Sequence, residues 1–341
     1  MNNCKRKNKL LFITQKIHKD DDDLAFVIQW VDEFIKQGMD VQVICLEKGN
    51  FDDHFSVYSL GKEKGLSRWI WVINFYKLIF SLKYDKVFVH MNQEWSALGS
   101  LYWWVRNKPF YLWYTHYTMT FFLRVTGWFV DKMFCATAQS LPQYNNSSKK
   151  IVTRHGIDLN FWQVDNLPTV DSRSKYNLLT VHRICRSKRL EIVIKALKYL
   201  PKEYNLTIYG RDVEKDYAQE LRSLVKEFNF DSRVKFIGSV PTYELKNIYS
   251  KYRLMVNMAS ETIDKTKLEG MYFGVYPITT KANSLAIGLQ IYPEHDGPKT
   301  IANFILKEDW KKYDLDYLQN IVRERHSLNV LVKNMLRYIN K

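Results

Sequence analysis

No apolar run in the 341-residue chain approaches the roughly 20 residues needed to cross a bilayer. The basic opening MNNCKRKNKLLFIT leads into a run that stops at once in QKIHKDDDD, which predicts a first β-strand where a signal peptide would continue. Cysteine is scarce: Cys4, Cys45, Cys135 and Cys185 lie far apart, three of them in or beside apolar runs. That spacing offers neither a disulfide framework nor a zinc site, and it fits the reduced thiols of a cytosolic protein. There is no RNA- or DNA-binding motif, no low-complexity segment and no sequence repeat. Acidic residues are the minority, 36 against 51 Lys and Arg, for a net charge of +15. An excess of this size suits nucleic acid, an anionic membrane surface or a phosphorylated substrate, and the cations are scattered through the chain in no block.

What is present is an α/β alternation long enough for two domains, each able to bury its own core. KLLFIT, the helix pattern LAFVIQWVDEFIKQGMD stopped at Gly38, and VQVICL form a βαβ opening. The four aspartates Asp20 to Asp23 precede that helix, where a capping role or a solvated loop outweighs a substrate or metal role. Leu66 to Lys83 reads as a helix with a broad apolar face. YDKVFVHM and PFYLWYTH follow as strands with a helix between them, and FFLRVTGWFVDKMFCAT reads as a helix running into a strand. The polar stretch QVDNLPTVDSRSK has no periodicity and marks the linker, giving domains 1–165 and 166–341. A second alternation runs from YNLLTVHR through NLTIYG and VKFIGSV, and the segment from Trp310 onward is helical.

Two stretches of the second half carry the chemistry. Tyr252 to Thr280, YRLMVNMASETIDKTKLEGMYFGVYPITT, reads as strand, polar turn, helix closed by Gly274, and strand. Glu261 and Glu269 flank the turn with seven residues between them. A turn at the carboxyl end of a parallel strand is where such sheets bind ligands. YNLLTVHRICRSKRLEIVIKAL is a second strand-loop-helix, with Arg183 and Lys188 in its loop.

Taken together, VHRICRSK, FIGSV and the SE(x7)EGM(x2)G(x2)P block resemble the retaining glycosyltransferases of the group 1 family (glycosyltransferase family 4). There an Arg is followed five residues on by a Lys, and Glu-x7-Glu precedes a Gly and a Pro. Arg183, Lys188, Glu261, Glu269, Gly274 and Pro277 fall on this pattern in order. The resemblance implies the GT-B fold, α/β, with two Rossmann-like doubly wound parallel-sheet domains facing a central cleft and the final helix crossing back onto the first domain. It implies a metal-independent transferase of the hexosyl type that takes a sugar from a nucleotide-diphosphate sugar, with no cofactor.

The resemblance assigns Arg183 and Lys188 to the leaving diphosphate, whose charge a planar guanidinium and an ammonium can stabilise. Glu261 falls to the donor sugar and Glu269 to the ribose hydroxyls. Lys265, Thr266, Ile263, Asp264, Val240 and Gly210 complete the donor site. His116, at the end of PFYLWYTH, matches the first-domain histidine beside the donor sugar, although a lone histidine is more often structural. The chain departs from the family in three places: His182 stands where Gly precedes the Arg, Arg189 where Gly follows the Lys, and Thr262, Ile263 and Asp264 where an aromatic-Gly pair follows the first Glu. The donor's identity is therefore not carried over.

Aromatic residues make up 15% of the chain and are dense between Leu66 and Lys132. They read either as a Trp- and Tyr-rich core or, with Lys77, Lys83, Arg106, Lys108 and Arg124, as a surface resting in lipid headgroups. The second reading brings the enzyme to a lipid-linked acceptor on the inner face of the membrane. By analogy with the family's commonest use, the product is a cell-surface glycan. The competing functions are a same-fold nucleotide-sugar epimerase and a basic, non-enzymatic protein that binds nucleic acid or membranes. The second of these leaves the Arg183, Lys188, Glu261 and Glu269 set without a purpose.

Overall fold

The computed structural model describes residues 8–21, 24–164, 169, 172–259 and 263–341. It divides into two compact units, Met1–Arg154 with Leu328–Lys341, and His155–Ser327. The first holds seven parallel strands: β1 (Lys9–Ile17), β2 (Asp40–Lys48), β3 (Ser56–Ser59), β4 (Lys86–His90), β5 (Phe110–Trp113), β6 (Lys132–Cys135) and β7 (Lys150–Val152). Their order is β3-β2-β1-β4-β5-β6-β7.

Side chains alternate along these strands into two cores. Leu10 and Phe12 of β1 join Val43, Phe88, Trp113 and Phe134 on one face, while Leu11 and Ile13 join Ile44, Val87, Leu112 and Met133 on the other. A sheet covered on both faces needs apolar residues at consecutive positions, which is why KLLFI has no polar interruption. The helix Phe26–Lys36 covers the first face through Val27, Trp30, Val31 and Phe34. Residues Leu328–Ile339 form a second helix there, with Leu328, Leu331, Val332, Met335, Leu336 and Ile339 on one apolar stripe. Asn329 fixes its start, donating to Glu33 Oε1 at 2.8 Å and accepting at its carbonyl from Gln37 Nε2 at 2.9 Å. The helices Arg68–Ser81, Gln93–Val105 and Phe121–Phe129 line the other core.

The second unit has five parallel strands, β8 (Asn177–Val181), β9 (Asn205–Tyr209), β10 (Val234–Gly238), β11 (Leu254–Val256) and β12 (Tyr276–Ile278), in the order β10-β9-β8-β11-β12. The two doubly wound parallel sheets anticipated from the sequence are both present. In each, the strand order reverses once, between β1 and β4 and between β8 and β11.

Several details differ from the sequence reading. The strand PFYLWYTH ends at Trp113, so His116 lies in the loop beyond β5. The four-residue β3 was not anticipated: an edge strand this short leaves little periodicity to read. The division between units falls at Arg154/His155, ahead of the polar stretch, because Ile157 and Trp162 already pack in the second unit's core. Of the aspartate run, Asp21 acts locally, accepting from Leu24 N at 2.7 Å and pairing with Lys16 at 2.9 Å. Asp22 and Asp23 lie outside the described residues.

Candidate active site

The reversal at β8 and β11 brings the loops leaving these two neighbouring strands side by side, at the position where open α/β sheets bind ligands. The loop after β8 is held against the end of β9, where His182 N donates to the Tyr209 carbonyl at 3.0 Å. Gly210 makes this approach possible: its φ is +149°, and a Cβ there would lie 1.9 Å from the His182 carbonyl oxygen. Farther along, a 3-10 turn spans Arg186–Lys188 and ends on Arg189, whose φ of 54° is left-handed. That is the position where the family carries glycine. Arg189 keeps the backbone conformation and donates from Nη1 to Asp296 Oδ2 at 2.8 Å.

Lys188 reaches out of this turn to Asp264, Nζ to Oδ1 at 2.6 Å, and Asn257 Nδ2 holds the other carboxylate oxygen at 2.9 Å. Asp264 stands at the N-cap of the helix Lys265–Tyr272. Burial alone would raise its carboxyl, but the Lys188 charge, followed by that of Lys267, holds it well below the usual carboxylate range. Lys267 is fully buried, and among the described residues its Nζ has no hydrogen-bond partner. Burial lowers it to about 8, with Asp264 opposing that shift and Lys188 adding to it. Two cations thus share one carboxylate, which leaves a net positive charge at the end of β11.

Around this cluster lie further polar atoms without partners. His182 is buried, which pushes its ring down to about 4, so it is neutral at pH 7. Its Nδ1 lies 3.1 Å from the Arg183 carbonyl. A carbonyl only accepts, so Nδ1 carries the proton, leaving Nε2 an acceptor with no partner among the described residues. Thr266 Oγ1 is likewise buried and unpaired. Native interiors leave few polar groups in this condition, and Lys267 Nζ, His182 Nε2 and Thr266 Oγ1 are three such atoms around one charged cluster, which makes it the candidate place for a polar ligand. Arg183 is exposed, and its side chain makes no hydrogen bond among the described residues.

One turn into the helix, Glu269 is buried and accepts from Tyr249 Oη at 3.0 Å. Burial raises its carboxyl to about 7, against the lowering influence of Lys265 and the Tyr249 hydrogen bond. Lys265 is itself pushed well below its ordinary value by burial, with Glu269 pulling the other way. Ile263 is buried just before Asp264, and Val240 follows β10 in the next loop.

The sequence-derived set therefore divides in three. Arg183, Lys188, Ile263, Asp264, Lys265, Thr266, Glu269, Gly210 and Val240 lie on the loops leaving β8, β9, β10 and β11 and on the start of the helix after β11. Glu261 and Thr262 lie outside the described residues. His116 is in the first unit, exposed, with its ring edge-on to Tyr114 at 5.4 Å. Sequence reasoning missed Lys267, Asn257 and Tyr249. For Lys267 there was a signal, a lysine three positions after a carboxylate at a helix start.

Residues 170–286 match the family described as glycosyl transferases group 1, and residues 20–112 match the one described as glycosyl transferase 4-like. Among solved structures, HepE of Anabaena with UDP and glucose is similar at a TM-score of 0.76 and 17% identity, over 98% of this chain and 100% of that one. Sucrose-phosphate synthase of Thermosynechococcus elongatus gives 0.75 and 16%, over 98% of each chain. The lipopolysaccharide outer core galactosyltransferase WaaB in its apo form gives 0.70 and 14%, over 97% and 99%. At such identities the likeness is one of fold. No curated protein matches the sequence.

Proposed function

In a chain that belongs to the group 1 glycosyltransferases and has the GT-B fold, we propose that the second unit binds a nucleotide-diphosphate sugar at the ends of β8 and β11, and that the first unit receives the acceptor. The observation that carries this reading is the convergence of Lys188, Lys267 and Asp264 on one buried cluster, with Arg183 exposed beside it. When the anomeric C–O bond of the donor breaks, negative charge collects on the departing diphosphate. Fixed cations already in place stabilise that charge without reorganising. Arg183 offers a planar fork to phosphate oxygens, and Lys188 and Lys267 offer point charges. The free N–H groups at the start of Lys265–Tyr272 add a positive dipole end.

A new bond forms from the acceptor hydroxyl oxygen to the anomeric carbon on the face the diphosphate leaves, so configuration is retained. The hydroxyl proton passes to the leaving phosphate oxygen. Glu269 accepts from the ribose hydroxyls, and Glu261 and His116 attend the donor sugar. No divalent metal takes part in this scheme. The ligands named for the similar HepE structures are UDP and UDP-glucose, and WaaB is named for lipopolysaccharide. The lipopolysaccharide named for WaaB supports a cell-surface glycan or lipid-linked acceptor; in this reading the acceptor is reached from the cytoplasmic side at an anionic membrane surface, and no nucleic acid takes part.

The test is a thermal-shift screen with UDP, GDP, ADP, CMP and their sugars, followed by product analysis in the presence of EDTA. A ligand that binds only the folded state raises the melting temperature. One nucleoside diphosphate is expected to do so in the parent protein and not in Arg183→Ala. A flat response to the whole panel refutes the reading.

A further inference from the structure

The first unit carries an outer surface that the sugar-transfer site does not use. Every exposed Trp and Phe among the described residues lies on the three helices Arg68–Ser81, Gln93–Val105 and Phe121–Phe129. Trp69 is 81% exposed, Phe121 74%, Trp128 68%, Trp104 60% and Phe80 58%. These helices are apolar on two sides. Gln93–Val105, for example, buries Trp95 and Trp103 in the core and turns Trp104 and Val105 outward.

The outward rings are neighbours. Phe80 meets Tyr102 edge-on at 4.7 Å, which joins the first helix to the second, and Trp104 meets Phe129 at 5.9 Å, which joins the second to the third. On Arg68–Ser81, Trp69, Ile73 and Phe80 recur at the helical repeat and form one stripe beside the second helix, where Tyr76 Oη donates to the Leu98 carbonyl at 3.0 Å. The three stripes make one continuous apolar face, larger in aromatic content than monomers ordinarily leave in water.

The charge of this region decides what covers it. Leu66 to Lys132 contains eight Lys and Arg and three Asp and Glu. Arg68, Lys77, Lys83, Arg106 and Arg124 are exposed and have no acidic partner among the described residues. A second copy of the chain would bring the same cations against themselves. An anionic lipid surface satisfies both features, since tryptophan rings settle among headgroups while lysines and arginines draw in phosphate.

We infer that the outer faces of Arg68–Ser81, Gln93–Val105 and Phe121–Phe129 form a docking surface for anionic phospholipid. The inference deepens the proposed reading by naming the face that meets the bilayer, and it rests on that reading only for the acceptor. No helix among the described residues is long and apolar enough to cross a membrane, so docking is by partial insertion of side chains.

The experiment is co-sedimentation of the full chain with vesicles of phosphatidylglycerol and phosphatidylcholine, or of phosphatidylcholine alone. Binding to the anionic vesicles at low salt is expected, at least tenfold weaker with phosphatidylcholine alone and in high salt. Trp104→Glu with Trp128→Glu should cut partitioning at least tenfold at an unchanged melting temperature. Trp69→Glu with Phe121→Glu, at the most exposed positions, gives the same result should the first pair destabilise the fold. Failure of the parent to co-sediment at low salt overturns the inference. So do variants that bind as the parent does, or a parent dimer that Trp69→Glu dissociates. Vesicle binding by a protein whose melting no nucleotide shifts upholds docking while it removes the transferase reading.

Discussion

Lys188 and Asp264, 76 positions apart in the chain, meet at 2.6 Å and tie the loop leaving β8 to the one leaving β11. The carboxylate is shared, since the buried Lys267 feels it as well. Without it, two ammonium groups would face each other in a largely dry site. Asp264→Asn should therefore cost roughly 3 kcal/mol, the low end for breaking a buried ion pair, measured by urea unfolding. Saturating nucleoside diphosphate should raise the variant's melting temperature by more than the parent's, because its phosphates meet cations that no longer have a counter-charge. An equal or smaller gain would show that Asp264 and the ligand do not share these lysines.

Arg183→Ala and Lys188→Ala are each expected to lower kcat by about two orders of magnitude, as loss of one group stabilising developing charge does. The measurement is steady-state release of nucleoside diphosphate. Arg183 is exposed and unpaired, so its loss should leave stability within about 0.5 kcal/mol of the parent.

Lys267→Met separates structural from functional use of the buried lysine. An unpaired ammonium in the interior is costly, and methionine fills a similar volume without that cost. The variant should melt no lower than the parent, while its turnover falls about tenfold or more. A drop in melting temperature with unchanged turnover would make Lys267 a structural residue.

Glu269 gives a pH signature. Its carboxyl titrates near 7 in the folded protein against an ordinary 4.5, so between these values the folded state holds a proton that the unfolded chain has lost. The stability this contributes is fully present below about pH 4.5 and is lost as pH rises through 7, a change of up to about 3 kcal/mol. His182 works in the opposite sense, being lowered to about 4. The Glu269 contribution is therefore the difference between parent and Glu269→Gln followed from pH 4.5 to 8. Parallel curves would show that Glu269 titrates normally.

Gly210→Ala should lower stability by about 2 kcal/mol or more, since a Cβ would sit 1.9 Å from the His182 carbonyl oxygen on a backbone at φ +149°. The displaced loop carries Arg183 and Lys188, so the nucleotide-induced melting shift should vanish with it. Calorimetry with and without ligand reads both effects.

The sequence made the strand-loop-helix units visible because buried parallel strands and amphipathic helices write their periods plainly. Motif spacing pointed to Arg183 and Lys188 in the loop after one strand and to Glu269 about a turn into the helix after another. It did not show Asp264 turning onto Lys188, since that contact spans 76 positions and leaves no local pattern. Lys267 was hidden because Lys265–Tyr272 is buried at every position from 267 to 272, so no period separates an inner from an outer face. Arg189 was a departure from glycine whose left-handed backbone only coordinates could reveal. Composition likewise could not sort the aromatics: Trp103 and Trp104 are adjacent in sequence, yet one is fully buried and the other 60% exposed.

The helix Leu328–Ile339 completes the core of the unit that begins the chain, after all 173 residues of His155–Ser327 have intervened. During synthesis that face of the opening sheet must wait with the helix Phe26–Lys36 as its partial cover until those residues have emerged, while the other unit has its whole sequence available earlier. The order of birth is thus not the order of completion, and the half made first is the last to close.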